Sequence, residues 1–198
     1  MEQTAWSVIL SYKSPMPENL KPSTSSDLGN NKERIFLTHI FRPDQTDVVE
    51  RLKTLGGYIV VTDDYLSTPE FKKLVSDLPA PKLALNCVGG PTSTEFTRLL
   101  APGGTMVTYG GMSRKPVTVP TSALIFKDVQ LRGFWLTKWL EQHPQEDRTK
   151  MLNQLFEMIK KDQLKLWIED WKFARFQQAL QRVNEPYRDR KVVLTMNE

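Results

Sequence analysis

Cysteine and histidine are scarce in this sequence of 198 residues, and its glycines do not form a nucleotide-binding motif. The single cysteine, Cys87, excludes an internal disulfide framework. With only His39 and His143 beside it, no structural zinc site of Cys and His ligands is expected. No apolar run approaches the roughly 20 residues of a membrane-spanning helix, so no membrane partner is expected. None of the ten glycines is spaced from another as Gly-x-Gly, which excludes a Gly-x-Gly-x-x-Gly fingerprint and a P-loop.

The charge is mildly basic and scattered along the chain. Lys and Arg number 27 against 23 Asp and Glu, a net charge of +4. No run of cations is dense enough to predict a nucleic-acid surface, so a basic interaction module is disfavoured. Hydrophobic residues make up 39% of the chain, which excludes wholesale disorder.

Composition divides the chain into three segments. Residues 1–32 are rich in Ser, Pro, Asn and Lys and are predicted to be a linker-like leader, in which no targeting signal is legible. Strand and helix signals alternate over residues 33–136, and residues 137–198 add helices and a terminal strand. This alternation predicts an α/β fold, a Rossmann-like parallel sheet with helices on both faces.

Apolar runs bounded by Gly and Pro predict the individual elements. The strands are expected at residues 35–40, 58–62, 82–88, 105–109, 129–135 and 191–196. Thr68 and Pro69 predict a helix start. Apolar residues at three- and four-residue spacings predict three helices, each with one inward face. The inward residues are Phe71, Leu74, Val75 and Leu78 in the first helix, Phe96, Leu99 and Leu100 in the second, and Met151, Leu155, Met158 and Ile159 in the third.

Two double-glycine turns follow predicted strands, Gly89-Gly90 and Gly110-Gly111. In a parallel sheet, ligands bind beyond the carboxyl ends of the strands. Glycine has no Cβ, so backbone at such a turn can approach a ligand closely; alternatively, each pair only makes a tight turn. Two pairs at equivalent strand ends favour a ligand groove. Cys87, beside the first pair, is predicted to be a small buried hydrophobe rather than a reactive thiol.

Three stretches carry a resemblance to a known family. They are LALNCVGG (83–90), LLAPGGTMVTYGGMSRKPV (99–117) and LIFKDVQLRGFWL (124–136), and RKVVLTM (190–196) also fits. They resemble the mitochondrial trans-2-enoyl-CoA reductases, zinc-free enoyl-thioester reductases of the medium-chain dehydrogenase/reductase superfamily. The resemblance runs from about Arg42 to the C-terminus. It implies a Rossmann-like domain without its first strand and without the N-terminal catalytic β-domain of the family.

The resemblance also implies an activity and a site. The activity is the NADPH-dependent reduction of trans-2-enoyl thioesters, carried on CoA or acyl carrier protein, in mitochondrial fatty acid synthesis. The implied cofactor contacts are Tyr109, Gly110, Gly111, Met112, Phe134, Trp135, Leu136 and Lys191. Arg42 matches the last member of a basic cluster that receives the 2′-phosphate. No catalytic residue and no metal ligand is assigned.

Residues 1–41 do not resemble the part of the family that bears the active-site tyrosine, so we expect this chain alone to be weakly active or inactive. One alternative is a non-catalytic remnant that binds nucleotide or dimerises; another is a zinc-free quinone reductase. The strand from Val129 to Trp135 resembles the edge strand through which the superfamily joins two cofactor sheets. A homodimer through that strand is therefore expected.

A missing first strand leaves two inner strands with no neighbour between them. Either the strands at 35–40 and 82–88 close up, or another segment fills the gap. Residues 6–10 are the only local candidate. The Pro-rich residues 15–22 offer no crossover helix, which argues against this filling.

Overall fold

A computed structural model of the chain describes residues 8–12, 34–41, 46–54, 59–62, 64–164, 166–185 and 190–196. Over residues 8–12, 34–41 and 46–48 it describes the course of the backbone. The described residues fall into two compact units, one that ends at Phe134 and one that begins at Trp135. No helix of the described part is long and apolar enough to cross a membrane.

The described part of the first unit is built on a six-stranded sheet. Its strands are β1 (Val8–Tyr12), β2 (Arg34–Phe41), β3 (Ile59–Thr62), β4 (Leu83–Asn86), β5 (Thr105–Thr108) and β6 (Gln130–Gly133). The spatial order is β3-β2-β1-β4-β5-β6. β2 pairs with β3 in parallel, and β5 pairs in parallel with both β4 and β6. The predicted α/β class with a parallel sheet is confirmed for these five strands.

β1 fills the gap between β2 and β4, and it runs antiparallel to both. All five of its residues pair with β2, whereas Ser11–Leu83 is its single pair with β4 among the described residues. The sequence argument against a filling strand is therefore wrong. The prediction assumed a parallel strand, which needs a crossover connection, but an antiparallel neighbour needs none.

The connections in the first unit include α1 (Thr46–Thr54), a 3₁₀ turn (Tyr65–Ser67), α2 (Pro69–Val75), α3 (Pro91–Leu99) and α4 (Thr121–Lys127). The predicted start of α2 is confirmed, because Thr68 Oγ1 accepts a hydrogen bond from the Phe71 N–H at 3.2 Å. Pro69 occupies the first helical position, where its missing N–H costs nothing.

One hydrophobic core serves the first unit. It consists of Ile59, Leu66, Phe71, Ala84, Phe96, Leu100, Met106, Ala123 and Val129. The inward face predicted for α3 is confirmed, with Leu99 packed against this core. The prediction for α2 is right for Phe71 and wrong for Leu74, whose side chain is half exposed. Cys87 is buried, as predicted.

The second unit contains α5 (Leu136–Gln142), α6 (Gln145–Lys160), β7 (Ile168–Lys172), a 3₁₀ turn (Phe173–Arg175), α7 (Phe176–Asn184) and β8 (Lys191–Thr195). β7 and β8 pair in parallel. Arg182 on α7 donates to Glu169 on β7 at 2.9 Å and to Glu185 at 2.6 Å. The hydrogen bond to Glu169 and, after it, the one to Glu185 raise the pKa of Arg182. The Arg182–Glu169 ion pair joins α7 to β7.

The apolar side of α6 is not covered. The sequence predicts that Leu155, Met158 and Ile159 point inward, but all three are exposed, and α6 has no buried residue. The spacing predicts the helix correctly, whereas the burial prediction is wrong because no described element packs over that side.

Candidate functional site

Three parallel strands end side by side in the first unit. Asn86, the last residue of β4, is in register with Thr108, the last residue of β5, and Thr108 is in register with Gly133 of β6. Residues 87–90, here the Cys87 loop, follow β4, and residues 109–116, here the Tyr109 loop, follow β5. The two double-glycine segments therefore lie at one edge of the sheet, as the sequence predicts.

The Cys87 loop and the Tyr109 loop are joined by backbone hydrogen bonds. The Met112 N–H donates to the Cys87 carbonyl at 3.0 Å, and the Ser113 N–H donates to the Val88 carbonyl at 3.0 Å. The Ser113 hydroxyl donates to the same Val88 carbonyl at 2.6 Å. The two loops thus form one layer over the carboxyl end of the sheet.

The glycines of these loops have two different roles. Gly89 has φ +75°, and a Cβ there would lie 2.7 Å from the Lys115 carbonyl oxygen; a Cβ on Gly110 would lie 3.0 Å from the Cys87 carbonyl oxygen. These two glycines allow the loops to pack on each other, which is the tight-packing alternative. A Cβ on Gly111 would meet nothing within 4 Å, so only this glycine borders open space among the three.

A buried amide, which the sequence reasoning missed, connects the two strand ends. Asn86 is fully buried, and its Oδ1 accepts hydrogen bonds from the Val88 N–H at 3.1 Å and the Gly89 N–H at 3.0 Å. Its Nδ2 donates to Thr108 Oγ1 at 3.1 Å. The available signal was a polar residue that closes the apolar run Leu-Ala-Leu-Asn.

The predicted contact residues of the first unit are accessible. Tyr109, Met112 and Phe134 are exposed large side chains, and Gly111 is exposed beside them. Apolar side chains beyond the ends of parallel strands provide a surface on which a planar ring can lie.

The remaining predicted residues lie elsewhere in the chain. Trp135 and Leu136 begin the second unit and are exposed, so Trp135 is not a core residue. Lys191 is the exposed first residue of β8, and its N–H donates to the Trp167 carbonyl at 2.9 Å. Arg42 lies outside the described residues.

Two other tryptophans make packing contacts in the second unit. Trp139 stacks on His143 with ring centroids 4.2 Å apart, and the Arg175 guanidinium lies 5.0 Å from the Trp171 ring centroid. The sequence predicts packing roles for both.

Comparison with known proteins gives the family. A family model described as "Zinc-binding dehydrogenase" matches residues 40–194. The mitochondrial enoyl-acyl-carrier-protein reductase of Dictyostelium discoideum is 55% identical over 150 residues, which cover 76% of this chain and 43% of that protein. The Homo sapiens protein of the same name is 44% identical over 161 residues, which cover 78% of this chain and 42% of that protein. The chain thus spans less than half the length of these relatives.

Solved structures agree with this grouping. One described as the "Etr1p/NADP/crotonyl-CoA complex" superposes with a TM-score of 0.66 at 35% identity, covering 79% of this chain and 45% of that chain. A Bacillus thuringiensis protein described as a putative NADPH:quinone reductase has a TM-score of 0.61 at 21% identity, covering 75% of this chain and 45% of that chain, which shows the shared fold alone.

The zinc in the family description has no ligand set in the described part of this chain, where no three His, Cys, Asp or Glu residues are grouped to hold a metal ion. The match over residues 40–194 nevertheless covers most of the sequence, and the chain belongs to the zinc-binding dehydrogenase family.

Proposed function

We propose that this chain binds NADPH at the carboxyl edge of the first sheet and serves the reduction of trans-2-enoyl thioesters, carried on CoA or acyl carrier protein, in mitochondrial fatty acid synthesis. The observation that carries this proposal is the Tyr109 loop, which is fixed against the Cys87 loop and leaves Gly111 open toward solvent. Relatives named as mitochondrial enoyl-acyl-carrier-protein reductases, and a relative solved with NADP and crotonyl-CoA, supply the choice of cofactor and substrate.

The proposal assigns the contacts by unit. In the first unit the cofactor contacts are Tyr109, Gly110, Gly111, Met112 and Phe134, and the same role is assigned to Trp135, Leu136 and Lys191 of the second unit. Arg42 is proposed to pair with the 2′-phosphate, as a guanidinium can. Residues 33–136 are the cofactor domain in this proposal, 1–32 its leader, and 137–198 the segment that returns toward the family's catalytic domain.

The open space at Gly111 fits a bound cofactor. A planar nicotinamide ring needs close backbone approach and apolar neighbours, which Gly111, Tyr109 and Met112 offer together. When bound, the cofactor supplies the hydride for C3 of the thioester, and a proton reaches C2. Tyr109 is assigned to cofactor contact and not to proton donation.

Calorimetric titration of the full chain with NADPH and with NADH tests the proposal. We expect saturable NADPH binding that Gly111→Val weakens by at least about tenfold, because the added side chain occupies the open space. Ser122→Val adds a similar group at an exposed position of α4 and leaves binding unchanged. Failure of the unaltered chain to bind either nucleotide at millimolar concentration refutes the proposal.

Turnover is a separate measurement on the same sample. Because the chain spans less than half of its relatives, we expect NADPH binding with little or no crotonyl-CoA-dependent NADPH oxidation. Rapid oxidation would show that this chain holds a complete active site and contradict the expectation.

We also infer that two copies pair through β6. It is the outermost strand of the described sheet on its side, and all four of its residues are exposed. On α4, just before β6, Leu124, Ile125 and Phe126 are exposed, Phe126 by 79%. An unpaired edge beside apolar side chains can bind an identical edge across a two-fold axis. A related solved structure is described as an Etr1p/Etr2p heterodimer.

Sedimentation velocity tests this second proposal. We expect a dimer that Phe126→Glu converts to a monomer, while Leu74→Glu, a substitution at a half-exposed residue of α2, remains dimeric. A monomeric unaltered chain at tens of micromolar would rule out the pairing.

A further inference from the structure

The Asn86 side chain hydrogen-bonds both to the Cys87 loop and to the end of β5. Its Oδ1 accepts from two consecutive N–H groups of the Cys87 loop, those of Val88 and Gly89. Its Nδ2 donates to Thr108, the residue directly before Tyr109. The carbonyl of Asn86 also accepts from the Tyr109 N–H at 2.9 Å. The amide orientation follows from its partners, since two backbone N–H groups require an oxygen acceptor.

The connection continues to the third strand end. The Thr108 carbonyl accepts a hydrogen bond from the Phe134 N–H at 2.9 Å. Asn86, Thr108 and Phe134 therefore form a row across β4, β5 and the end of β6. Two of the proposed cofactor contacts are thereby connected to Asn86. Phe134 belongs to this row, and the Tyr109 N–H bonds to the Asn86 carbonyl.

Burial makes this arrangement sensitive to substitution. Asn86 is 0% exposed, so a side chain without a polar atom would leave the Val88 and Gly89 N–H groups without their acceptor. Gly89 has a left-handed φ of +75°, and a Cβ there would lie 2.7 Å from the Lys115 carbonyl oxygen. Released from Asn86, the Cys87 loop loses one of its anchors, and the Tyr109 loop bonded to it loses part of its support.

We propose that Asn86 is a positioning residue, which holds the Tyr109 loop in the shape that receives the nicotinamide cofactor. It acts through Thr108 and the Cys87 loop, and it does not itself touch the ligand. This inference rests on the proposed cofactor site and adds a residue to which neither the resemblance nor the relatives' names assign a role.

Two substitutions separate the parts of the amide. Asn86→Leu keeps the approximate size and removes both the acceptor and the donor. Asn86→Asp keeps an oxygen for the Val88 and Gly89 N–H groups, and the Thr108 hydroxyl can then donate to the second carboxylate oxygen. Thr108→Val removes the hydrogen bond between the Asn86 and Thr108 side chains, leaves the Val88 and Gly89 N–H groups with their acceptor, and preserves the β-branched shape. It provides a second test if Asn86→Leu folds poorly.

Two measurements on the full chain test the proposal, amide hydrogen exchange without ligand and calorimetric titration with NADPH. Thr97→Val is the matched control. Thr97 is also fully buried, and the substitution removes one hydrogen bond, which its hydroxyl donates to the Thr94 carbonyl at 2.8 Å. We expect Asn86→Leu to accelerate exchange over residues 109–113 and to weaken NADPH binding at least about tenfold, since a displaced contact loop loses pre-organisation. Thr108→Val should do both to a smaller extent. Asn86→Asp should bind within about threefold of the unaltered chain because its acceptors remain.

Each other outcome overturns the positioning role. Unchanged exchange over residues 109–113 in Asn86→Leu and in Thr108→Val would show that Asn86 does not hold the loop. Faster exchange with unchanged NADPH affinity would show a structural role only, with the proposed cofactor site intact. Equal loss of affinity in Thr97→Val would assign the effect to general stability. If the unaltered chain binds no NADPH, the cofactor proposal fails first and the positioning role fails with it.

Discussion

Substitution of Gly89 by alanine tests the packing of the two loops most directly. Gly89 combines two obstacles to a side chain, a left-handed φ of +75° and a Cβ position 2.7 Å from the Lys115 carbonyl oxygen. Gly103 has the first obstacle alone, with φ +69° and no atom within 4 Å of its Cβ position. Gly111 has neither. The three positions therefore separate backbone conformation from crowding.

The expected magnitudes follow from these contacts. An L-residue in the left-handed region costs about 1–2 kcal/mol, which is the whole cost expected for Gly103→Ala. In Gly89→Ala the blocking atom is backbone, so the Tyr109 loop must shift and strain the Ser113–Val88 and Met112–Cys87 hydrogen bonds. Overpacking of this kind adds about 1–3 kcal/mol, for a total of about 2–5 kcal/mol. Gly111→Ala should be close to neutral.

Urea denaturation followed by circular dichroism at 222 nm measures these differences. Tryptophan fluorescence is less suitable, because Trp135, Trp139, Trp167 and Trp171 all lie in the second unit and the substitutions lie in the first. The expected order of destabilisation is Gly89→Ala, then Gly103→Ala, then Gly111→Ala. If Gly89→Ala costs no more than Gly103→Ala, the close packing of the Cys87 and Tyr109 loops is refuted.

Two further substitutions test the first unit. Leu10→Pro removes a backbone N–H from the middle of β1, where Leu10 pairs with Phe36, and should lower the free energy of unfolding by about 1–3 kcal/mol. Leu10→Val should stay near the unaltered chain, and equal urea midpoints for the two variants would contradict the placement of β1. Thr68→Ala removes the cap of α2 and should cost about 1 kcal/mol in thermal denaturation. Thr68→Ser keeps an acceptor hydroxyl, so its melting temperature should remain close to that of the unaltered chain.

Regular local patterns made much of the first unit predictable. The strand predicted at 105–109 is β5, Thr105–Thr108, and the one predicted at 82–88 is β4, Leu83–Asn86. Gly or Pro residues flank both segments and mark where each strand begins and ends. Strands of a buried parallel sheet are also nearly continuously apolar, which makes them recognisable in the sequence. β7 was not predicted because its sequence, Ile-Glu-Asp-Trp-Lys, has few apolar residues, and its pairing partner β8 lies far along the chain.

The candidate site was predictable in place but not in detail. The predicted strand ends and the carboxyl-edge rule place both double-glycine loops at one edge of a parallel sheet. The different roles of Gly110 and Gly111 depend on where the Cys87 carbonyl lies, and no local pattern contains that information. The role of Asn86 likewise depends on Thr108, a residue 22 positions away.

The direction of β1 determines what the middle of the carboxyl edge can offer a nucleotide. A parallel strand in that place would end at this edge, and the helix after it would direct N–H groups toward a pyrophosphate. β1 is antiparallel, so it begins at this edge with Val8 and its last residue, Tyr12, lies at the opposite edge, beside Arg34. The described end of β1, at Tyr12, therefore contributes no strand-to-helix turn at the carboxyl edge. Apart from the contact proposed for Arg42, we therefore expect the nucleotide contacts of the first unit to concentrate over β4, β5 and β6. We also expect NADPH to bind more weakly than to a domain whose first strand is parallel.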